Sequence, residues 1–324
     1  MAPRTKKSGT RFAESGNCIL IRDSSNCQSL FERIQMKAFE FLELKEKIQV
    51  MDVGAAAIAE VPVYQSLLDA NLAYLTAFEG DDRQIENIKK AYGEKVKIFQ
   101  DFLFDGTEQT LYLASPASGM TSLLKPRPEA LKFFNGFEFF GRVKSVAKVQ
   151  TTKLDELQSV GDIDFLKMDI QGAELTVLKN GIRKLQPCLA IQLEVPYICL
   201  YENQPSFGEI DIWMREQGYA PHCFLDVKRW SITPTLLNNN LGIPGNQLLE
   251  SDVVYIRDPL KLQDLSIDQL KKFATIVHYC FQSVDLCVYI LIELERRNAI
   301  QINSHQIYLR PLKAQVISDI SRYI

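Results

Sequence analysis

The chain has 324 residues, 46% of them hydrophobic and 24% charged, with a net charge of −3. That length allows one large α/β domain with decorations or two smaller domains. The charge balance argues against a basic nucleic-acid-binding footprint, and no run reaches the roughly 18 to 20 apolar residues that span a membrane. Seven cysteines, an odd number without a C-x-x-C pair, argue against a disulfide framework or zinc site. Only three histidines occur, which disfavours a metal centre built on imidazoles. No metal is expected, and a reducing, cytoplasmic compartment fits.

Met1 to Arg11 carries Arg4, Lys6, Lys7 and Arg11 with no apolar core after them, unlike a secretory signal. Residues 1–23 are expected to be a disordered basic head. From about Ser24 to Lys47 the recurrence of Leu30, Ile34, Ala38 and Leu42 predicts a helix. Ile48 to Gly54 reads as a buried strand ending in a glycine turn, and a helix over roughly Tyr64 to Asn71 follows. Leu75 to Glu79 reads as a second strand ending in an acid. A helix over Asp81 to Tyr92, stopped by Gly93, leads to a third strand at Val96 to Phe99, with Asp101 just after it. Such alternation argues for right-handed parallel crossovers.

The alternation then breaks. Residues 107–150 contain Thr110 to Leu113, a Ser-Pro-Ala-Ser-Gly loop and an aromatic run from Phe133 to Phe140. They are expected to form a β-rich insertion, a wall or lid beside a site. The run Phe133, Phe134, Phe137, Phe139 and Phe140 reads as core or lid packing. Ile163 to Asp169 resumes the parallel pattern, and Leu175, Leu178, Ile182 and Leu185 predict one apolar helix face. Leu189 to Val195 is a fifth strand. A helix over Phe207 to Gln217 and closing strands at Tyr219 to Leu225 and Val253 to Ile256 complete the domain, with a loop over Trp230 to Asn246. Leu265 to Asn298 is helical and apolar and reads as a packing layer or an oligomer interface rather than a membrane anchor, with dimerisation expected. The expected fold is thus an open, mostly parallel seven-stranded sheet with helices on both faces, over residues 24–259, with a helical C-terminal extension over 260–324.

Four constellations bear on chemistry. Gly54 and Ala55 after a strand, with Glu79 25 residues beyond Gly54, suit a nucleoside whose ribose hydroxyls bind the acid; an ordinary turn gives the same pattern. The G-x-G-x-x-G of dinucleotide enzymes is absent, which argues against an NAD(P)-dependent oxidoreductase. Lys167 and Asp169 share one strand face by their period-two spacing. They read as a structural pair or as a carboxylate facing the reacting group with a lysine tuning it. Glu194 ends the fifth strand, so Asp169 and Glu194 are expected to converge on one cleft, where paired carboxylates could act as a base or hold a cation. Asp101 reads as a partner for an amino group such as that of adenine, or as a solvated loop acid.

Thr152-Lys153-Leu154-Asp155-Glu156-Leu157, then Asp164 to Glu174 (D-F-L-K-M-D-I-Q-G-A-E), then Val177-Leu178-Lys179-Asn180-Gly181 together resemble the FkbM family of methyltransferases. That family reads T-L-D-x-L, D-x-x-K-x-D-[VI]-[EQ]-G-x-E and V-L-x-G, and the similar part covers about residues 48 to 257. The resemblance implies a Rossmann-like class I methyltransferase fold, S-adenosyl-L-methionine as cofactor, and usually a hydroxyl of a small molecule, natural product or carbohydrate as acceptor. By position it implies Asp52, Gly54 and Ala55 at the methionine side of the cofactor, Glu79 at the ribose, and Asp101 or Phe102 at adenine. Asp169 is expected to act as base or acceptor-orienting residue, supported by Glu194 and Lys167. The family's first motif commonly reads D-x-G-A-N-x-G; here Ala56 and Ile58 replace its Asn and second Gly. That departure motivates an alternative, a non-catalytic methyltransferase-like module that dimerises through its C-terminal helices.

Overall fold

The computed structural model describes residues 42–55, 61–80, 82–115, 118–241 and 243–312. Strand β1 (Ile48–Val53) leads through helix α1 (Gln65–Asp69) to β2 (Ala73–Phe78), and α2 (Asp82–Tyr92) leads to β3 (Val96–Phe99). The insertion follows: β4 (Phe102–Leu103), β5 (Glu108–Leu113), α3 (Pro128–Phe133), α4 (Phe137–Phe140) and β6 (Ser145–Thr152). Then come β7 (Phe165–Met168), α5 (Glu174–Lys179), α6 (Ile182–Leu185), β8 (Ala190–Pro196), α7 (Phe207–Glu216), β9 (Tyr219–Trp230) and β10 (Gln247–Arg257). Helices α8 (Ile267–Phe281), α9 (Val284–Arg296) and α10 (Ser304–Leu309) follow.

Seven strands form one sheet in the order β3-β2-β1-β7-β8-β10-β9. The first five are mutually parallel; β10 is antiparallel to both β8 and β9. The order reverses between β1 and β7, and ligands bind at such a switch point, outside the carboxyl ends of the strands. This is the Rossmann-like methyltransferase fold expected from the sequence. The central strands read as apolar runs because both faces are covered: every residue of β8 is buried.

Alternation divides each strand between two cores. Met51, Val53, Leu166, Met168, Ile191 and Leu193 face a core that includes α5 and α7. Ile48, Val50, Leu75, Phe165 and Ala190 face the other, which is filled largely by α8 and α9. Ser266 and Gln269 form a capping box that starts α8, and Leu270, Phe273, Ile276 and Val277 on it are wholly buried. Burying each such side chain is worth about 1.5–3 kcal/mol. The C-terminal helices therefore share one core with the sheet, and their apolar faces are spent there. On α9 only Tyr289 and Ile292 remain as exposed large apolar residues. Among the described residues no helix is long and apolar enough to cross a membrane.

Several boundaries differ from the sequence expectation. Residues 24–41 lie outside the described residues, and Leu42 to Lys47 are not helical. That segment is held against α8 instead, through Lys45 to Asp268 and Lys271 to the Glu43 carbonyl. The helix predicted over 64–71 stops at Asp69, because Asn71 turns left-handed. The single helix expected from Ala173 breaks at Gly181, where the Leu154 side chain packs so closely that a Cβ would lie 2.5 Å from it. Ile182 is half exposed as a result. The insertion begins earlier than expected, at β4, and carries two short helices beside its strands.

Candidate active site

Two polar rows cross the carboxyl end of the sheet, on the face shared with α1. In register, Asp52 pairs with Lys167 and Lys167 with Gln192. One step further along, Glu194 pairs with Asp252, and Asp169 stands just past the end of β7. Gln192 and Glu194, two apart on a buried strand, point to the same side as Lys167.

Asp52 is 2% exposed and both of its oxygens are engaged. Tyr64 donates its hydroxyl to Oδ2 at 2.6 Å, and the Lys167 Nζ lies 3.3 Å from Oδ1. Burial alone would push the Lys167 ammonium down, but the charges of Asp52, Asp169 and Asp252 outweigh it and hold the group above its usual range. Lys167 thus bonds Asp52 rather than Asp169, and reaches Asp169 only through its field.

The glycine turn after β1 is fixed by the same loop that carries Asp169. Gly54 has φ +81°, and a Cβ there would stand 2.0 Å from the Asp169 carbonyl oxygen. Gly54 and Ala55 both donate their amides to the Phe78 carbonyl, and Asp169 donates its amide to the Val53 carbonyl. Glu79 follows β2 directly, with its amide on the Phe99 carbonyl. Asp101 is exposed in the turn between β3 and β4. Phe102 is half-buried, with its ring against the Gly80 Cα. The first-motif departures at Ala56 and Ile58 lie outside the described residues.

Asp169 and Glu194 do converge, through Gln171. Its Nε2 donates to Asp169 Oδ1 at 2.9 Å and to Glu194 Oε1 at 3.0 Å. Its own Oε1 accepts the Tyr201 hydroxyl at 2.9 Å, which fixes which end of the amide faces the acids. Gln171 sits at φ +56°, and its carbonyl is held by the Ser122 hydroxyl from the insertion. Glu174, fully buried, accepts the amides of Ile170 and Gly172 at 2.9 and 3.2 Å. It therefore braces the loop before α5 rather than only the helix end. Glu194 also meets Lys228 at 3.3 Å, which in turn holds Glu250 at 2.8 Å. Gln192 donates to Asp252 at 3.2 Å, while its Oε1 is buried with no hydrogen-bond partner.

The site is short of cations. Burial, then the charges of Asp169 and Glu250, push Glu194 well above the usual carboxylate range despite Lys228. Burial and Asp169 raise Asp252 to about 6. Burial raises Glu174 to about 7 against the lowering effect of its two backbone donors. A carboxyl raised by folding keeps its proton longer than in the unfolded chain. Its stabilisation is complete below the ordinary value near 4.5 and is lost as pH rises through about 7. The urea midpoint is therefore expected to fall between pH 5.5 and pH 8, by on the order of 1 kcal/mol or more of stability. Glu174→Gln, which keeps an acceptor for both amides, should flatten that slope; an unchanged slope would remove Glu174 as its source.

The sequence could have pointed to Gln192, since Gln192 and Glu194 are the two polar positions in an otherwise apolar run. Lys228 and Asp252 carried no such signal: only the antiparallel register of β8, β10 and β9 brings them here. Tyr64 was read as a helix start, and its bond to Asp52 depends on the path of the turn.

A mostly parallel sheet with this switch point, a glycine turn after β1 and an acid after β2 is the framework of a nucleoside-cofactor-binding protein. The family model of the methyltransferase FkbM domain matches residues 25–221, and the chain belongs to that family. No curated protein matches it. Among solved structures it is similar to a precorrin-6y C5,15-methyltransferase from Geobacter metallireducens GS-15, at 10% identity over 69% of this chain and 88% of that one (TM-score 0.34). It is also similar to the magnesium protoporphyrin IX methyltransferase of Synechocystis PCC 6803, at 10% identity over 72% and 79% (TM-score 0.34). A third, the fibrillarin pre-rRNA processing protein of Methanococcus jannaschii, shares 12% identity over 68% and 73% (TM-score 0.33). S-adenosylmethionine is the cofactor of the family to which this chain belongs, and the residues present fit it. Gly54 lets the Asp169 loop close onto the turn after β1, and Glu79 stands one strand away at the same end of the sheet.

Proposed function

We propose that this protein transfers the methyl group of S-adenosylmethionine to a hydroxyl of a small-molecule, natural-product or carbohydrate acceptor. The observation that carries the reading is the pinning of Asp169 beside Glu194 by Gln171, directly over the Gly54 turn. The cofactor supplies a sulfonium methyl that is already electrophilic, so the protein's part is positioning and proton removal. Asp169 is the base: it takes the acceptor's hydroxyl proton as the oxygen–methyl bond forms and the sulfur–methyl bond breaks. Glu194, tied to Asp169 through Gln171 and raised above the usual carboxylate range by burial and by the charge of Asp169, helps to orient the acceptor. Lys167 keeps Asp52 in place and lends positive field to Asp169. Asp52, Gly54 and Ala55 bound the methionine side, Glu79 holds the ribose, and Asp101 with Phe102 borders adenine. Five described cysteines, none in a disulfide, support a reducing, cytoplasmic setting.

Calorimetry with S-adenosylhomocysteine tests the reading. Micromolar affinity is expected, weakened roughly 10- to 100-fold in Glu79→Ala, as for a lost pair of charge-assisted hydrogen bonds. No binding by the unaltered chain would remove the assignment.

A further inference from the structure

Around the paired acids the acceptor side of the cleft has more hydrogen-bond acceptors than donors. Glu194 and Glu250 share Lys228, and Asp52 has Lys167. Among the described residues Asp169 and Asp252 have no ion-pair partner; the side-chain donors they meet are the neutral amides of Gln171 and Gln192. Gln192 adds a carbonyl oxygen that is buried and has no hydrogen-bond partner among the described residues, on an amide whose other end already lies on Asp252. A buried acceptor left unmade costs about 1–3 kcal/mol, so a donor that reaches it gains that much in return.

The position separates this deficit from the cofactor. Asp252 stands on β10, three strands from β1 and Gly54, which is roughly 14 Å at the usual strand spacing. A ligand group seated at Gly54 does not meet it. The shape also favours an organic cation over a metal ion. Among the described residues no three carboxylate, imidazole or thiolate side chains are grouped to coordinate a metal. An ammonium has three donors that reach separate acceptors at ordinary hydrogen-bond distance.

We propose that the methyl acceptor is an amino alcohol or amino sugar, whose ammonium group sits between Asp252, the Gln192 amide oxygen and Asp169 while its neighbouring hydroxyl faces Asp169. This rests on the methyltransferase reading above and extends it to the class of acceptor. Burial, and then the charge of Asp169, raise the Asp252 and Glu194 carboxyls, and a cation seated between them would offset both. The ammonium does so by displacing a proton, so binding tightens as pH rises through the range where Asp252 would otherwise hold its proton.

The test uses the full chain, with and without saturating S-adenosylhomocysteine, titrated with 2-aminoethanol, with ethylene glycol and with magnesium chloride by ligand-observed NMR and calorimetry. 2-Aminoethanol is expected to bind at least tenfold more tightly than ethylene glycol at pH 7.5, and to weaken about fourfold at pH 5.5, as one carboxyl near 6 takes up its proton. Asp252→Asn, close in shape, should abolish both the preference and its pH dependence. Asp226→Asn, at the exposed register partner of Asp252, should change neither. Equal affinity for the two organic probes, pH-independent binding, or saturable magnesium binding in place of 2-aminoethanol would each overturn the proposal. Absence of S-adenosylhomocysteine binding on the same samples would instead remove the methyltransferase reading, while the comparison of probes still decides the ammonium seat.

Discussion

Gly54→Ala is expected to cost roughly 3 kcal/mol or more of stability, from the left-handed backbone and from overpacking together. S-adenosylhomocysteine binding should be lost in whatever folds. A Cβ at this position would meet the Asp169 carbonyl oxygen at 2.0 Å, and backbone cannot swing aside as a flexible side chain can. Relief requires moving the loop that bears Asp169, so the Gly54 turn and the Asp169 loop are displaced together. Gly93 is the matched control: its φ is +56° but a Cβ there would touch nothing within 4 Å. Gly93→Ala should therefore show only the conformational cost, about 1–2 kcal/mol, and full binding. Urea denaturation and calorimetry on the two variants measure both. Equal losses in the two would show that the contact with Asp169 is unimportant.

Lys167→Ala is expected to destabilise the fold by about 3–5 kcal/mol, as when one partner of a buried ion pair is removed. Asp52 would then be left in a nearly closed site with the Tyr64 hydroxyl as its remaining side-chain donor. Asp52→Asn combined with Lys167→Met removes both charges while leaving an acceptor for Tyr64, and should recover at least half of the lost stability. Methyl transfer should not recover with it, because the field that Lys167 lends to Asp169 is gone. Denaturant midpoints report the first effect. Transfer of a labelled methyl group at saturating cofactor reports the second, and full turnover in the double variant would confine Lys167 to a structural role.

The parallel half of the sheet was legible because its strands are short apolar runs closed by glycine or acid and separated by amphipathic helices. The convergence of Asp169 and Glu194 followed from the same grammar, since neighbouring parallel strands bring their ends together. What escaped depended on contacts distant in the chain. Lys167 was read beside Asp169 from period-two spacing, yet its nearest carboxylate is Asp52 on the adjacent strand, 115 residues away. Lys228 and Asp252 enter through antiparallel pairing, whose register shifts at bulges no sequence pattern marks. The apolar C-terminal helices read as a packing layer or an oligomer interface, and the sheet face they cover accounts for their buried residues.

Asn135 in the insertion donates to the Ser231 hydroxyl and to the carbonyls of Ile232 and Thr235, and the Trp230 indole donates back to its carbonyl. Two segments almost a hundred residues apart in the chain are thereby joined into one piece of wall. Neither can be exchanged alone for a shorter or bulkier version without breaking the joint. Replacing either segment in this scaffold therefore requires replacing the other with it.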